Sequence, residues 1–204
     1  MSTKQLLHDI QQQVQLGKYY EAQQMYKGMS DKFLHKKKFD KSVHILVTGT
    51  RVMMEKKQAT LALELANSMI EVFEKCENCA LLEPKWQISK NVSMNALELI
   101  EAIANLFPMV CAERALFLKE AISWSAKCLK TQETGGMTQG EPSLHTMLAN
   151  TFRAGKVYSE AHKQYSLSES PNEHAEFLFE WALEGHPHER DLFITRAVLQ
   201  YVSD

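Results

Sequence analysis

The sequence predicts an all-α protein, an α-solenoid of about five antiparallel helix pairs, from three observations. First, the motif aromatic-x-x-small-x-x-x-large apolar recurs, and its offsets of three and seven place it on one stripe of a helix. Second, the first two copies start about twenty residues apart, the spacing of stacked helical hairpins such as tetratricopeptide repeats. Third, only five prolines among 204 residues disfavour a fold of many short strands. The motif copies are Tyr19-Ala22-Tyr26, Phe39-Ser42-Leu46 and Tyr158-Ala161-Tyr165.

The first four helices follow from apolar stripes that are separated by turn residues. Gly17 ends the first helix, and the stripe that starts at Tyr19 defines the second. The third helix contains residues 43–48, a β-branched run typical of a strand. Because a helical stripe through Phe39, Leu46 and Met53 describes this region better, we predict a helix there. A fourth helix follows from apolar residues at positions 62, 65, 69 and 72–73.

Prolines position several later helices, because proline is tolerated in the first turn of a helix and ends one elsewhere. Pro84 is predicted to open the fifth helix, which Pro108 ends, and Pro142 and Pro171 open the seventh and ninth. No strand is predicted. The ten helices are expected at about residues 3–16, 19–36, 39–56, 58–76, 84–107, 109–130, 142–154, 156–168, 171–183 and 187–202.

Composition places the chain among soluble globular proteins. Hydrophobic residues make up 45% of the sequence and charged residues 24%, which is ordinary for a soluble domain. No charge-free stretch approaches the roughly 18 apolar residues of a transmembrane helix, and no signal peptide is evident. We therefore expect one cytoplasmic solenoid over residues 1–204, without direct membrane insertion. The low-complexity segment 131–141 is expected to be a flexible loop.

Charge is distributed unevenly along the chain. Residues 1–57 hold eleven Lys and Arg against five Asp and Glu, a net charge of +6, whereas residues 58–204 carry −8. The sequence thus divides into a basic N-terminal portion and an acidic remainder. Such an asymmetry affects the choice of partners and the association rate rather than the fold.

The four cysteines raise the question of metal or redox chemistry. Cys76 and Cys79 have the C-x-x-C spacing of zinc sites and thiol oxidoreductases. A zinc site would need a second close pair, whereas Cys111 and Cys128 are far apart in the sequence. A thioredoxin-like site would need a preceding strand. We favour ordinary reduced cysteines and keep a thiol oxidoreductase that uses Cys76 and Cys79 as an alternative.

Catalytic motifs are absent from the sequence, which has no His-Glu-x-x-His, no phosphate-binding glycine-rich loop and no Gly-x-Ser-x-Gly. We therefore expect no enzymatic activity, no cofactor and no metal. Three consecutive lysines at positions 36–38 invite a nucleic-acid interpretation. Little aromatic interleaving accompanies them, so a charged turn between helices is the better interpretation and no nucleic-acid partner is expected.

Four short blocks, in order along the chain, carry a resemblance to a known family. They are residues 17–24 (Gly-Lys-Tyr-Tyr-Glu-Ala-Gln-Gln), Trp124-Ser125, Leu144-His145 and residues 193–201 (Phe-Ile-Thr-Arg-Ala-Val-Leu-Gln-Tyr). With this order and spacing, the chain resembles the fourth protein of the Get (guided entry of tail-anchored proteins) pathway, a family of helical adaptors. The Gly-x-Tyr-Tyr-Glu-Ala block is the most specific of the four.

The resemblance implies a cytosolic stack of helical hairpins that joins two partners. Its N-terminal half would bind the ATPase that targets tail-anchored membrane proteins, in the nucleotide-loaded closed form. Its C-terminal half would bind a ubiquitin-like-domain protein. Two departures from the family are visible: Gln23 stands where the family commonly has His, and the chain stops soon after residues 193–201, whereas family members continue with further helices.

The predicted ATPase-binding residues combine this resemblance with surface chemistry. On the second helix a stripe that includes Tyr20 and Lys27 is rotated away from the core, and an exposed tyrosine beside a lysine is typical of an interface anchor. Packing of Tyr20 on the first or third helix is the alternative. Glu64 is included because the family carries an acidic residue there. The predicted set is Lys18, Tyr20, Gln23, Gln24, Lys27, Lys36, Lys37 and Glu64.

The last predicted helix carries the second candidate site. A terminal repeat should have a polar outer face, yet this helix has an apolar stripe, which indicates either a partner contact or inward packing. The predicted residues are Leu192, Phe193, Leu199 and Val202. The alternative function is a generic tetratricopeptide-like module that grips an extended peptide. It would need Asn, Lys and Arg at regular spacing along its inner helices, and no such spacing is evident.

Overall fold

The structure is a computed structural model that describes residues 3–76, 85–89, 92–132 and 139–186, together with residues 188, 190–193, 195 and 199. Within these ranges it contains nine helices and two short strands. Residues 190–193, 195 and 199 are also helical. The elements are α1 (Thr3–Gln15), α2 (Tyr19–His35), α3 (Phe39–Glu55), α4 (Ala59–Lys75), β1 (Trp86–Ser89), β2 (Val92–Met94), α5 (Ala96–Ala104), α6 (Ala112–Gln132), α7 (Pro142–Ala154), α8 (Tyr158–Tyr165) and α9 (Pro171–Glu184).

The all-α solenoid class predicted from the sequence is confirmed. The chain forms two compact units, residues 1–108 and 109–204. In the first unit, consecutive helices from α1 to α4 pack on one another and α2 also contacts α4; in the second, α7 packs on α6 and α8, and α8 on α9. Whether residues 1–204 form one continuous solenoid stays a prediction.

One turn geometry recurs between helices and sets the repeat. Its central residue is left-handed, with φ of 75° at Gly17, 53° at Lys37 and 58° at Lys57 and Lys156. The next N–H donates to the carbonyl five residues earlier, as from Lys38 to Phe33 at 2.9 Å, which is the Schellman arrangement that ends helices. The following helix then starts two residues after the left-handed residue. Helices α2, α3 and α4 are each 17 residues long, so the repeat is regular.

The motif found in the sequence marks the starts of these helices. Its aromatic residue is the first residue of α2, α3 and α8, and its small residues Ala22, Ser42 and Ala161 are 0% exposed. Helix α4 starts at Ala59 after the same turn and has Ala62, at 0% exposure, in the small position, but Ala59 and Ala66 stand where the motif has its aromatic and its large apolar residue. The turn, rather than the motif, therefore relates α4 to the helices before it.

The prediction of a helix from residue 84 to 107 without strands is wrong over its first half. Trp86–Ser89 and Val92–Met94 form an antiparallel hairpin, and the helix α5 starts only at Ala96. A capping box explains that start: the Asn95 side chain accepts from the Glu98 N–H at 2.8 Å, and the Glu98 carboxylate accepts from the Asn95 N–H at 3.0 Å. Trp86 is 1% exposed and its ring lies 5.2 Å from that of Phe73, so core packing holds the strand.

The second unit follows the predicted order with shifted bounds. Helix α6 runs to Gln132, so residues 131–132 belong to a helix rather than to the predicted loop, and residues 133–138 lie outside the described part of the chain. Helix α8 is shorter than predicted. Two blocks of the resemblance, Trp124-Ser125 and Leu144-His145, hold the start of α7 in place. Ser125 Oγ accepts from the Glu141 N–H at 3.0 Å. The His145 ring nitrogens lie 3.0 Å from Gln139 O and 2.8 Å from Gln164 Oε1.

Aromatic rings fill the space between α8 and α9. Phe177 is 0% exposed at the centre, with ring centroids 5.0 Å from Tyr165, 5.8 Å from Trp181 and 6.1 Å from Tyr158. Such pairs add stability beyond the area that they bury. Beside them, His174 Nε2 lies 3.1 Å from His162 Nδ1.

The environment of His174 predicts a loss of stability in acid. Burial, and then the neighbouring His162, lower the pKa of His174 from 6.5 to about 4. Between these values the unfolded chain binds a proton that the native chain does not, so stability falls as the pH drops from about 6.5 towards 4. From about pH 7 to 5 this histidine should cost about 1–2 kcal/mol. Urea unfolding at both pH values should give a smaller loss for His174→Phe than for the native sequence; equal losses would contradict the assignment.

Candidate partner-binding surfaces

Helices α2 and α4 lie against each other and carry a polar seam on their shared surface. Glu64 of α4 is its centre: Glu64 Oε2 accepts from Gln23 Nε2 at 2.6 Å and from Lys27 Nζ at 2.8 Å. Gln24 Nε2 in turn donates to Gln23 Oε1 at 2.9 Å. With Tyr20, which lies one turn before Gln24 on the same stripe, these residues are called the α2–α4 seam.

The seam orders a carboxylate at the protein surface. The hydrogen bonds from Lys27 and then Gln23 lower the pKa of Glu64, so the carboxylate is ionised near neutral pH. The side chains of Lys27 and Glu64 are 31% and 47% exposed, and ion pairs of this exposure contribute less than about 1 kcal/mol to stability. The Lys27–Glu64 ion pair therefore adds little to folding. What it provides is a fixed negative group with a cation beside it, available to a partner.

Gln23 has a different environment from the one expected from the resemblance. Its side chain is 0% exposed, and its amide is engaged on both sides, by Glu64 and by Gln24. Gln23 therefore supports Glu64 from the interior instead of facing solvent. Tyr20 is the opposite case: it is 62% exposed, so the alternative that it packs on a neighbouring helix does not describe its ring.

The remaining predicted residues of this set lie at the ends of α2. Lys18 is the residue before α2 and Lys36 the residue after it, about 27 Å apart at the rise of an α-helix. Lys37 is the left-handed residue of the α2–α3 turn. All three are exposed. The structure thus brings Gln23, Gln24, Lys27 and Glu64 together and leaves Lys18, Lys36 and Lys37 outside the seam.

Sequence reasoning missed the continuation of the seam along α4. A cavity of about 220 Å³ lies beyond Lys27. It is lined by Lys27, Ser30, Asp31, Leu34, Leu46, Ser68, Glu71 and Lys75. The signal was present, since residues 64, 68, 71 and 75 recur at helical spacing, but only the first of them was singled out.

The predicted C-terminal residues divide into two groups. Leu192 and Leu199 are 66% and 64% exposed. Phe193 instead packs inward, with its ring 5.3 Å from that of Trp181 and against Gly185, where a Cβ would lie 2.8 Å from Phe193 Cε2. Val202 lies outside the described residues. Inward packing therefore describes Phe193, whereas Leu192 and Leu199 are exposed, and a partner contact at these two leucines stays a prediction.

The structure describes only some of the residues with candidate metal or redox chemistry. Cys76 is half-buried at the end of α4, whereas Cys79 lies outside the described residues, so the expectation of reduced cysteines stays a prediction and the thiol oxidoreductase stays an alternative. Within the described ranges, no group of three or more His, Cys, Asp or Glu side chains is arranged to hold a metal ion. In the same ranges, no helix combines the length and apolarity needed to cross a membrane.

Comparison with known proteins gives the family. The profile of the family described as Golgi to ER traffic protein 4 matches residues 36–204. The Golgi to ER traffic protein 4 homolog of Oryzias latipes is 31% identical over 194 residues, which cover 93% of this chain and 53% of the relative. The homolog of Dictyostelium discoideum is 29% identical over 195 residues, covering 96% and 57%. The chain spans about half the length of these curated relatives.

A solved structure shares the fold. The structure titled "Crystal structure of C. therm. Get4" superposes with a TM-score of 0.75 at 22% identity, covering 98% of this chain and 59% of that one. At this identity the likeness shows the fold alone, whereas the family profile extends over most of the sequence. The chain belongs to the Golgi to ER traffic protein 4 family.

Proposed function

We propose that this protein is a non-enzymatic adaptor in the cytoplasm that serves the post-translational targeting of tail-anchored membrane proteins to the ER. Its N-terminal helices bind the targeting ATPase, and its C-terminal half binds a ubiquitin-like-domain protein. The observation that carries the proposal is the α2–α4 seam, which presents an ordered carboxylate on α4 and an exposed tyrosine on α2, the helices to which the resemblance assigns the ATPase contact. Family membership supports the same role.

Each residue of the seam has a distinct role in this proposal. Tyr20 is the anchor, because an exposed aromatic ring buries a large area at low entropic cost. Glu64 presents the carboxylate that Lys27 and Gln23 hold in place. Lys18, Lys36 and Lys37, which lie at the ends of α2, act at longer range by attracting an acidic partner, so they contribute to the association rate more than to the lifetime of the complex.

The test is the dissociation constant for the purified, nucleotide-loaded ATPase. Tyr20→Ala should weaken binding by about tenfold or more, as for an interface anchor, and Glu64→Gln should weaken it too. The role of the Lys27 cation is tested with Lys27→Gln. A charge reversal is unsuitable, because a glutamate at position 27 would place a second carboxylate beside that of Glu64. Lys36→Glu should flatten the dependence of binding on salt, through lost steering.

Lys32→Gln is the matched control, since Lys32 is an exposed lysine of the same helix about a third of a turn away from the seam stripe. It should change the affinity by less than about twofold. Native-like affinity of both Tyr20→Ala and Glu64→Gln would exclude the seam as the ATPase contact. Leu192→Glu combined with Leu199→Glu should spare ATPase binding and abolish retention of the ubiquitin-like-domain protein, which separates the two halves of the proposal.

A further inference from the structure

A second surface of the first unit lies between α1 and α3, away from the seam. A cavity of about 400 Å³ opens there. Its lining is Leu7, Phe33, Lys41, His44, Ile45 and Thr48. We call this surface, together with Arg51, the α1–α3 groove. It belongs to none of the contacts proposed above.

The floor of the groove is apolar and partly open. Ile45 is 5% exposed at the bottom, whereas Leu7 is 37% exposed at the edge, and Phe33 is half-buried between them. A cavity with this lining takes apolar side chains, which gain from leaving water. Among the described residues of the lining, Thr48 alone carries a hydroxyl, which already donates to His44 O at 2.8 Å.

The rim of the groove is basic. Lys41, His44 and Arg51 are all exposed on α3, and with Thr48 they recur at spacings of three and four residues, which places them on one stripe. The stripe from Lys41 to Arg51 is about 15 Å long at the helical rise. Among the described residues that line the cavity none is acidic, and the first acid along the stripe is Glu55, at its far end.

We propose that the α1–α3 groove binds an acidic amphipathic segment of another protein. The apolar side chains of the segment, spaced by three and four residues, enter the cavity, as in other complexes in which a helix lies in a groove. Its carboxylates pair with Lys41 and Arg51. The stripe lacks exposed aromatic rings on which bases could stack, and its apolar part is recessed, so a peptide fits it better than RNA or a membrane surface does.

The test is fluorescence anisotropy with a fluorescein-labelled peptide of about 15 residues made of Glu and Leu, with Leu at helical spacing as in helix-in-groove ligands. A peptide of the same composition in shuffled order is the control for charge alone. The patterned peptide should bind at least about tenfold more tightly than the shuffled one. Combining Lys41→Glu with Arg51→Glu should weaken its binding at least about tenfold, and Leu7→Ser alone about fivefold.

The matched control is Lys18→Glu with Lys57→Glu, which makes the same change of charge in the α1–α2 and α3–α4 turns, and it should alter binding less than about twofold. Equal binding of the two peptides, or native affinity of both groove variants, would overturn the proposal. So would tighter binding of single-stranded RNA or anionic phospholipid vesicles than of the patterned peptide. If the variant with Lys41→Glu and Arg51→Glu loses its helical circular dichroism, the affinity of Leu7→Ser for the patterned peptide decides whether the proposal holds. ATPase binding by Leu7→Ser, which leaves the charge unchanged, should stay native, so this variant separates the failure of the groove proposal from the failure of the seam proposal.

Discussion

Replacing Gly49 with valine is expected to lower the free energy of unfolding by about 3 kcal/mol. Gly49 lies where α3 passes between α2 and α4, and a Cβ there would lie 2.9 Å from Tyr26 Cγ and 3.0 Å from Leu65 Cδ1. Neither neighbour can retreat freely, because Tyr26 is 5% exposed and Leu65 0% exposed. The higher helix propensity of valine offsets only a few tenths of a kcal/mol of this loss. The steric cost of the added side chain therefore determines the sign of the change in stability.

Chemical denaturation of the native sequence and the variant measures this effect. Gly28→Ala is the matched control, because Gly28 also lies within a helix but has open space around its Cα. That variant should gain about 0.5–1 kcal/mol, since alanine loses less backbone entropy on folding. A valine at position 49 that leaves the unfolding midpoint unchanged would mean that the three helices separate more easily than this packing indicates.

The Phe177→Ala variant is expected to lose about 3–5 kcal/mol. The ring of Phe177 is 0% exposed and contacts those of Tyr158, Tyr165 and Trp181. Removing it leaves a cavity between α8 and α9, and the surrounding rings are too rigid to fill it. Part of the loss comes from the aromatic pairs, which stabilise beyond area burial.

Phe179→Ala provides the comparison, since Phe179 lies two residues further along α9 and is 65% exposed. Its unfolding free energy should stay within about 0.5 kcal/mol of the native value. Urea titrations followed by circular dichroism measure both variants. Similar losses at the two positions would show that the Phe177 ring is not the centre of this cluster.

The helices of the repeat could be predicted from the sequence because the apolar stripe that marks each helix lies within the helix itself. The β-branched run 43–48 was correctly assigned to a helix, since the stripe through Phe39, Leu46 and Met53 has helical period and all three residues face the core or its edge. The hairpin was missed because two strands this short have little periodicity. The start of α5 has a local signal of its own, because Asn95 and Glu98 have the residue types and the spacing of a capping box.

The arrangement of the candidate site residues could be predicted only in part, and their role in binding stays a proposal. Lys27 and Glu64 are 37 residues apart, and their ion pair depends on the contact between α2 and α4, which no local pattern encodes. For the same reason Gln23 was expected at a surface and is buried. The α1–α3 groove could not be found from sequence, because three basic residues on one helix resemble any solvated face until Leu7 and Phe33 are placed beside them.

The left-handed turns and the equal lengths of α2, α3 and α4 have a consequence for insertions. One added residue rotates everything that follows within a helix by about 100°, so a single insertion in α3 would put the core-facing side of its second half out of phase with α2 and α4. Removing one whole helix with its turn, the stretch from Phe39 to Gln58, would instead reverse the chain direction of every later helix. Only a change by two helices and two turns keeps both phase and direction, so length variation in this part of the molecule should occur in steps of about forty residues.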